Sequence, residues 1–157
     1  MRVGIGYDVH AFELHRSLVL GGVTVPHNKG LAGHSDADVL VHAIMDALLG
    51  AAALGDIGRH FPDTDQAYKN ISSLDLLTRV GKMLQEKNYA VINVDSVIIA
   101  QEPRLSPYIS SIQSELSRIM KVSKDCINIK ATTTEKLGFV GRKEGIATYA
   151  VALVYQI

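Results

Sequence analysis

The stretch from Gly145 to Ile157 constrains this chain more than any other. Read as a strand, it points Ile146, Ala150, Ala152 and Val154 to one side and Ala147, Val151, Leu153 and Ile157 to the other. Both faces are apolar, so both need cover. Helices can cover one. The other is expected to meet further sheet, from this chain or from a neighbouring subunit. The 157 residues, 1–157, read as one domain. A domain of that size buries roughly 70% of its unfolded surface and needs no disulfide staple. Its formal net charge is zero, a further reason to cover apolar surface by self-association.

The remaining elements follow from periodicity. Val3, Ile5, Tyr7 and Val9 alternate, predicting a strand over 2–9. Residues 17–25 form a second extended stretch, broken at Gly21-Gly22, and 26–33 read as a loop. Ser35 or Asp36 is expected to begin a helix running from Asp38 to Leu54, closed by Gly55. Residues 56–70 have turn composition, and so long a loop is usually functional. Ser72 or Ser73 caps a helix with the stripe Leu74, Leu77, Val80 and Leu84, and Asn88 closes it. Residues 89–101 read as a strand. Ser106-Pro107 predicts the start of a helix reaching Met120. Residues 126–133 read as a strand and 134–143 as a loop. The expected fold is an α/β, two-layer sandwich with a mixed β-sheet and helices on one face.

Balanced charge argues against wholesale nucleic-acid binding, which needs a positive footprint. Cys126 is the single cysteine and rules out an internal disulfide or a cysteine-rich zinc site. No apolar run approaches the roughly 20 residues of a membrane helix, and the first residues do not read as a signal peptide. The expected compartment is the cytoplasm, with no membrane partner.

Asp8 and His10 share one face of the first strand. His42 lies four residues after Asp38 and four before Asp46 on one helical face. One carboxylate and two imidazoles suit zinc with an open fourth position, and Asp46 could hold the other nitrogen of His42. Strand end and helix are not shown by sequence to meet. His34-Ser35-Asp36-Ala37-Asp38 offers either an anion site on free helical N–H groups or a simple cap. Asp56-Ile57-Gly58 and Phe61-Pro62-Asp63-Thr64-Asp65 suit ligand contacts or plain turns. From Lys130 to Arg142, three threonines, Glu135, two lysines and Arg142 cluster where a strand ends. Threonines can hold phosphate oxygens, Glu135 a hard divalent cation, and Arg142 an anion. Neither a Walker A pattern nor a dinucleotide fingerprint is present. The residues themselves point to a metal-dependent enzyme acting on a phosphorylated small molecule.

This set of six blocks resembles the 2-C-methyl-D-erythritol 2,4-cyclodiphosphate synthase family, in order and over essentially the whole chain. The blocks are Asp8-Val9-His10; His34-Ser35-Asp36 with Asp38; His42-Ala43 with Asp46 to Ala51; Asp56-Ile57-Gly58; Phe61 to Asp65; and Ala131 to Glu135 with Gly138-Phe139 and Arg142. The resemblance implies a homotrimer with sheets packed around a three-fold axis and active sites between subunits. It implies conversion of 4-diphosphocytidyl-2-C-methyl-D-erythritol 2-phosphate to the cyclic diphosphate plus CMP, in non-mevalonate isoprenoid biosynthesis.

The resemblance further implies roles for particular residues. Asp8, His10 and His42 would hold Zn2+, and Glu135 a second cation, Mg2+ or Mn2+, bridging the α and β phosphates. His34 and Thr133 would stabilise the transition state. Ser35, Asp56, Ile57, Gly58, Phe61, Pro62, Asp63, Thr64 and Asp65 would hold the methylerythritol phosphate end. Ala100, Gln101, Glu102, Pro103, Arg104, Leu105 and Ser106 would form the cytidine pocket, largely through backbone groups. Thr132, Thr134, Phe139 and Arg142 belong to the same substrate region. A cavity on the three-fold axis near Arg142 would suit an isoprenoid diphosphate. Ala37, where glycine is common, and Glu102, acidic near the nucleotide loop, depart from the pattern. The competing readings are a zinc phosphohydrolase and a non-catalytic trimeric protein that binds metal or isoprenoid diphosphate.

Overall fold

A computed structural model describes residues 1–157. Its centre is a five-stranded sheet in the order β4 (Lys29–Leu31), β1 (Arg2–Leu14), β7 (Gly145–Gln156), β5 (Tyr89–Ile99), β6 (Ile127–Thr132). Only β5 and β6 run parallel, joined by a crossover through α4 (Ile109–Met120); the other pairs are antiparallel. The sheet is therefore mixed, as expected. A separate hairpin, β2 (Leu18–Leu20) and β3 (Val23–Val25), turns at Gly21-Gly22.

Three long helices pack on one side. In α1 (Val39–Ala51) nearly every residue is buried. It contacts β1 and β7 on one side and α3 (Ser73–Glu86) and the hairpin on others, which is why its composition is apolar all round. In α3 and α4 only one stripe is buried, Leu76, Leu77, Val80 and Leu84 in one and Ile112 and Leu116 in the other. Two short helices, α2 (Ile57–His60) and α5 (Gly138–Gly141), lie in stretches read as loops. Each is a single turn, too short to show a period.

The two faces of the sheet differ in cover. Toward the helices, Ile146, Thr148, Ala150, Ala152 and Val154 are all buried. On the other face Val3, Ile5, Tyr7 and Val9 of β1 stand beside Tyr149, Val151 and Tyr155 of β7, all exposed; Ile5 is 69% exposed against 1% for Ala150. Tyr7 and Tyr149 stack with ring centres 4.6 Å apart.

Several boundaries differ from expectation. β1 runs to Leu14 instead of ending at residue 9, because Phe12 to Leu14 pair with β4, and α1 ends at Ala51 instead of Leu54. The first helix is capped by Asp38, not Ser35 or Asp36, whose side chains bond elsewhere. The helix after Pro107 begins at Ile109, with Tyr108 as its uncapped N-terminal residue, while the Ser106 hydroxyl accepts from Arg104 Nε. Residues 26–33, read as a loop, contain β4, whose three residues are too few to show alternation. No helix is long and apolar enough to cross a membrane.

Candidate active site and metal centre

Packing of α1 on β1 creates the site. A Cβ on Gly4 would overlap the Ala47 carbonyl, and one on Gly6 the Ala43 carbonyl. The two glycines thus let helix backbone lie directly on strand backbone. This approach carries His42 to the part of the strand face that bears Asp8 and His10. His42 Nδ1 lies 3.0 Å and His10 Nε2 2.9 Å from Asp8 Oδ2, and the two ring nitrogens are 3.2 Å apart. One ligand atom from each residue falls within 4.8 Å of the others. The strand and the helix, far apart in sequence, therefore meet, with Asp8 and His10 inside β1 and not at its end as expected.

The far sides of both rings are tied. His10 Nδ1 faces the Ala32 carbonyl at 2.6 Å, which can only accept, so this nitrogen carries the proton. His42 Nε2 faces Ser73 Oγ at 3.0 Å and Ser35 Oγ at 3.3 Å. Asp46 does not hold His42, contrary to expectation: its Oδ1 accepts from the Ile57 amide at 2.8 Å and anchors the start of α2. Burial raises the Asp8 carboxyl, but hydrogen bonds and charge from His10 and His42 outweigh it and bring its pKa to about 2. Burial lowers the His10 ring, and the bond and charge of Asp8 more than offset this, leaving it raised. An ionised carboxylate beside two imidazoles with outward nitrogens tied is a donor set that fits zinc.

A pocket of about 590 Å³ opens over this cluster, lined by Asp8, His10, His34, Ser35, His42, Ile57, Gly58, Phe61, Pro62, Asp63 and Thr64, with Met45, Tyr68 and Leu76 among the rest. His34 Nε2 donates to the Asp65 carbonyl at 3.3 Å, joining the two loops above the metal position. The Asp56 carboxylate caps α2 through the Arg59 amide, and that of Asp65 caps the turn at 66–68 through the Ala67 amide. The start of α1 offers no anion site. Asp38, fully buried, fills it by accepting from the Val41, Gly21 and Gly22 amides; its pKa is pushed up to about 6 by burial.

The other predicted residues lie elsewhere. Ala100, Gln101, Pro103, Arg104, Leu105 and Ser106 line a second pocket of about 370 Å³ with Ala131, Thr132 and Thr133. None of them lines the metal pocket. Glu102 turns away from this pocket: its carboxylate pairs with Lys143 at 2.5 Å and lies 3.9 Å from His27. Glu135 accepts from the Thr133 hydroxyl at 3.0 Å, Thr134 donates to the Leu137 carbonyl, Phe139 is partly exposed, and Arg142 pairs with Glu144 at 2.8 Å. One chain thus carries two separate groups of candidate residues.

Comparison with known proteins decides the family, for the YgbB family matches residues 1–155. The chain belongs to the YgbB family. The 2-C-methyl-D-erythritol 2,4-cyclodiphosphate synthase of Desulforamulus reducens is 62% identical over 156 residues, covering 99% of each chain. The enzyme of that name from Alkaliphilus metalliredigens is 60% identical over 99% of this chain and 98% of its own. Among solved structures, the bifunctional IspDF from Campylobacter jejuni superposes with a TM-score of 0.96 at 44% identity. This chain covers 42% of that longer protein, which covers 99% of this one. The Plasmodium falciparum IspF CDP complex superposes with a TM-score of 0.87 at 34% identity, over 99% of this chain and 96% of that one.

Within this YgbB chain, sequence reasoning passed over three contributors to the site. Ser73 reads as a helix cap and Asp36 as a helix start, yet both lie behind His42. Arg16 donates to the carbonyls of Gly33 at 2.8 Å and Ser35 at 2.7 Å, holding the loop that bears His34. No periodicity signals such contacts, because each joins segments 17 or more residues apart.

Proposed function

We propose that this chain acts in the cytoplasm and converts 4-diphosphocytidyl-2-C-methyl-D-erythritol 2-phosphate to 2-C-methyl-D-erythritol 2,4-cyclodiphosphate and CMP, a phosphorus–oxygen lyase step of non-mevalonate isoprenoid synthesis. The observation that carries this reading is the convergence of Asp8, His10 and His42 in a chain whose relatives bear that enzyme's name. An oxygen of the substrate's 2-phosphate bonds to the β-phosphorus. The bond from that phosphorus to the oxygen bridging to the α-phosphate breaks, and CMP departs with the electron pair. Such a reaction asks the protein for positioning and charge neutralisation.

Asp8, His10 and His42 would hold Zn2+, which when bound polarises a phosphate oxygen as a Lewis acid. His34, set above the cluster, would donate to a phosphate oxygen, and Ser35 with residues 56–58 and 61–65 would seat the methylerythritol phosphate end. Ala100 to Ser106 would hold the cytidine. Thr132, Thr133 and Thr134 would bind its phosphates, and Glu135 a Mg2+ or Mn2+ ion, with Phe139 and Arg142 at the border of the site.

The separation of the two pockets supports an active site built from two copies, the metal pocket of one facing the nucleotide loop of the next. The exposed apolar face of β1 and β7 supports three sheets packed about an axis, where a central cavity would suit an isoprenoid diphosphate. The test is incubation of the pure protein with the cytidyl substrate, zinc and magnesium, followed by 31P NMR. CMP and the cyclic diphosphate are expected. CMP with an uncyclised product would move the reading to a phosphohydrolase, and absence of turnover to a binding protein. Sedimentation as a monomer would contradict the shared site.

A further inference from the structure

We propose that Ser73 and Asp36 are positioning residues that hold the Nε2–H of His42 from behind and so aim its Nδ1 at the metal position. The proposal rests on the reading of Asp8, His10 and His42 as ligands and goes beyond it in naming what orients one of them.

The argument is one of hydrogen-bond direction. An Asp36 carboxylate can only accept. Its Oδ1 makes a short contact with Ser73 Oγ, so the Ser73 hydroxyl proton points at Asp36. Ser73 Oγ then has only lone pairs left for His42 Nε2, 3.0 Å away. His42 must donate there. Nε2 therefore carries its proton toward Ser73, and the nitrogen left for a metal is Nδ1, the one that faces Asp8 and His10. Ser35 Oγ, 3.3 Å from the same Nε2, accepts from the Ala37 amide and can also accept from Nε2; were it to donate there, Ser73 Oγ would face Nε2 at 3.0 Å lone pair to lone pair.

The relay is itself fixed. Asp36 Oδ2 accepts from the Ser73 amide at 2.9 Å, and Oδ1 also accepts from the Asp38 amide at 3.2 Å. Every contact to the carboxylate therefore comes from a donor. Ser73 is fully buried, out of reach of water that could reverse the chain. The loop before α1 and the first residue of α3 thus meet behind the ligand that α1 carries. His10 reaches the same end more simply, through one backbone carbonyl.

The experiment uses the full-length protein with 15N-labelled histidine and compares wild type with Ser73→Ala and Asp36→Asn. Nitrogen shifts of the zinc-free protein report whether Nε2 carries a proton, and competition with a chromophoric chelator reports zinc affinity. Wild type is expected to carry a proton on Nε2. Both variants are expected to lose that proton in part and to bind zinc about 10- to 100-fold more weakly. A Ser73→Ala protein with unchanged Nε2 protonation and affinity would overturn the relay, as would one that only loses thermal stability. Should the variants not fold, the wild type still decides, because a bare Nε2 in it contradicts the proposal. Failure of the wild type to bind zinc would overturn the metal reading instead.

Discussion

The metal pocket is closed by elements that pack through the core, whereas the pocket between residues 100–106 and 131–133 lies at the edge strand β6. In the first, charged and polar side chains meet at about 3 Å, and each ring is held from behind. In the second, few side-chain bonds are made, such as that from Arg104 Nε to Ser106 Oγ at 2.9 Å in the open, and the Ala100 amide is tied to the Thr132 carbonyl. The difference teaches that the two halves would tolerate change unequally. A buried polar network loses much when one member goes. An exposed, backbone-built wall loses little, because water replaces the missing group.

The largest effect expected is that of His42→Ala. Zinc and activity should be lost together, with the rate falling about a thousandfold or more, the equivalent of several kcal/mol. Full zinc occupancy in a metal assay would refute the ligand role. Gly6→Ala tests the close packing beneath the metal pocket. The added methyl meets the Ala43 carbonyl, so stability in urea should drop by about 1–3 kcal/mol and zinc affinity should fall with it. An unchanged midpoint would show that the helix does not need this approach.

A pH series on the zinc-free protein sharpens the comparison further. The Asp8 pKa lies at about 2, below its ordinary 3.8, so its stabilising contribution is complete above 3.8 and is lost as pH falls toward 2. That of His10 is raised above 6.5, so its contribution is complete below 6.5 and is lost as pH rises through the raised value. The stability difference between wild type and Asp8→Asn should therefore peak between 3.8 and 6.5. A difference flat across the series would contradict the pairing. The smallest effect belongs to the open pocket. Arg104→Ala should raise KM for the cytidyl substrate by less than about tenfold, the worth of a single exposed bond, with zinc content unchanged. A loss of zinc there would show that the two halves are not independent.

What could be read in advance follows the same division. Asp8 and His10 were legible as a pair because a strand places alternate residues on one face. His42 was legible as a candidate because it stands among apolar residues of a helix. Asp46 misled, since helical spacing fixes a stripe but not what each member of the stripe meets, and α2 claims its carboxylate. Ser73 gave no signal, because a serine at a helix start has an adequate local explanation, and Asp36 was legible only as part of the block before the first helix. Glu102 stood out as an acidic residue in the loop 100–106, and only the structure pairs it with Lys143.

By itself the sequence determined the periods of the strands and helices, the two-sided apolarity of β7, and which side chains could bind metal or phosphate. These are local properties, set by the chemistry of each residue and the repeat of its element. Only the tertiary structure decided that α1 lies directly over Gly4 and Gly6, that His42 therefore meets Asp8 and His10, and that Ser73 stands behind it. Such contacts join segments far apart in the chain, and packing a buried helix against a sheet sets them all at once.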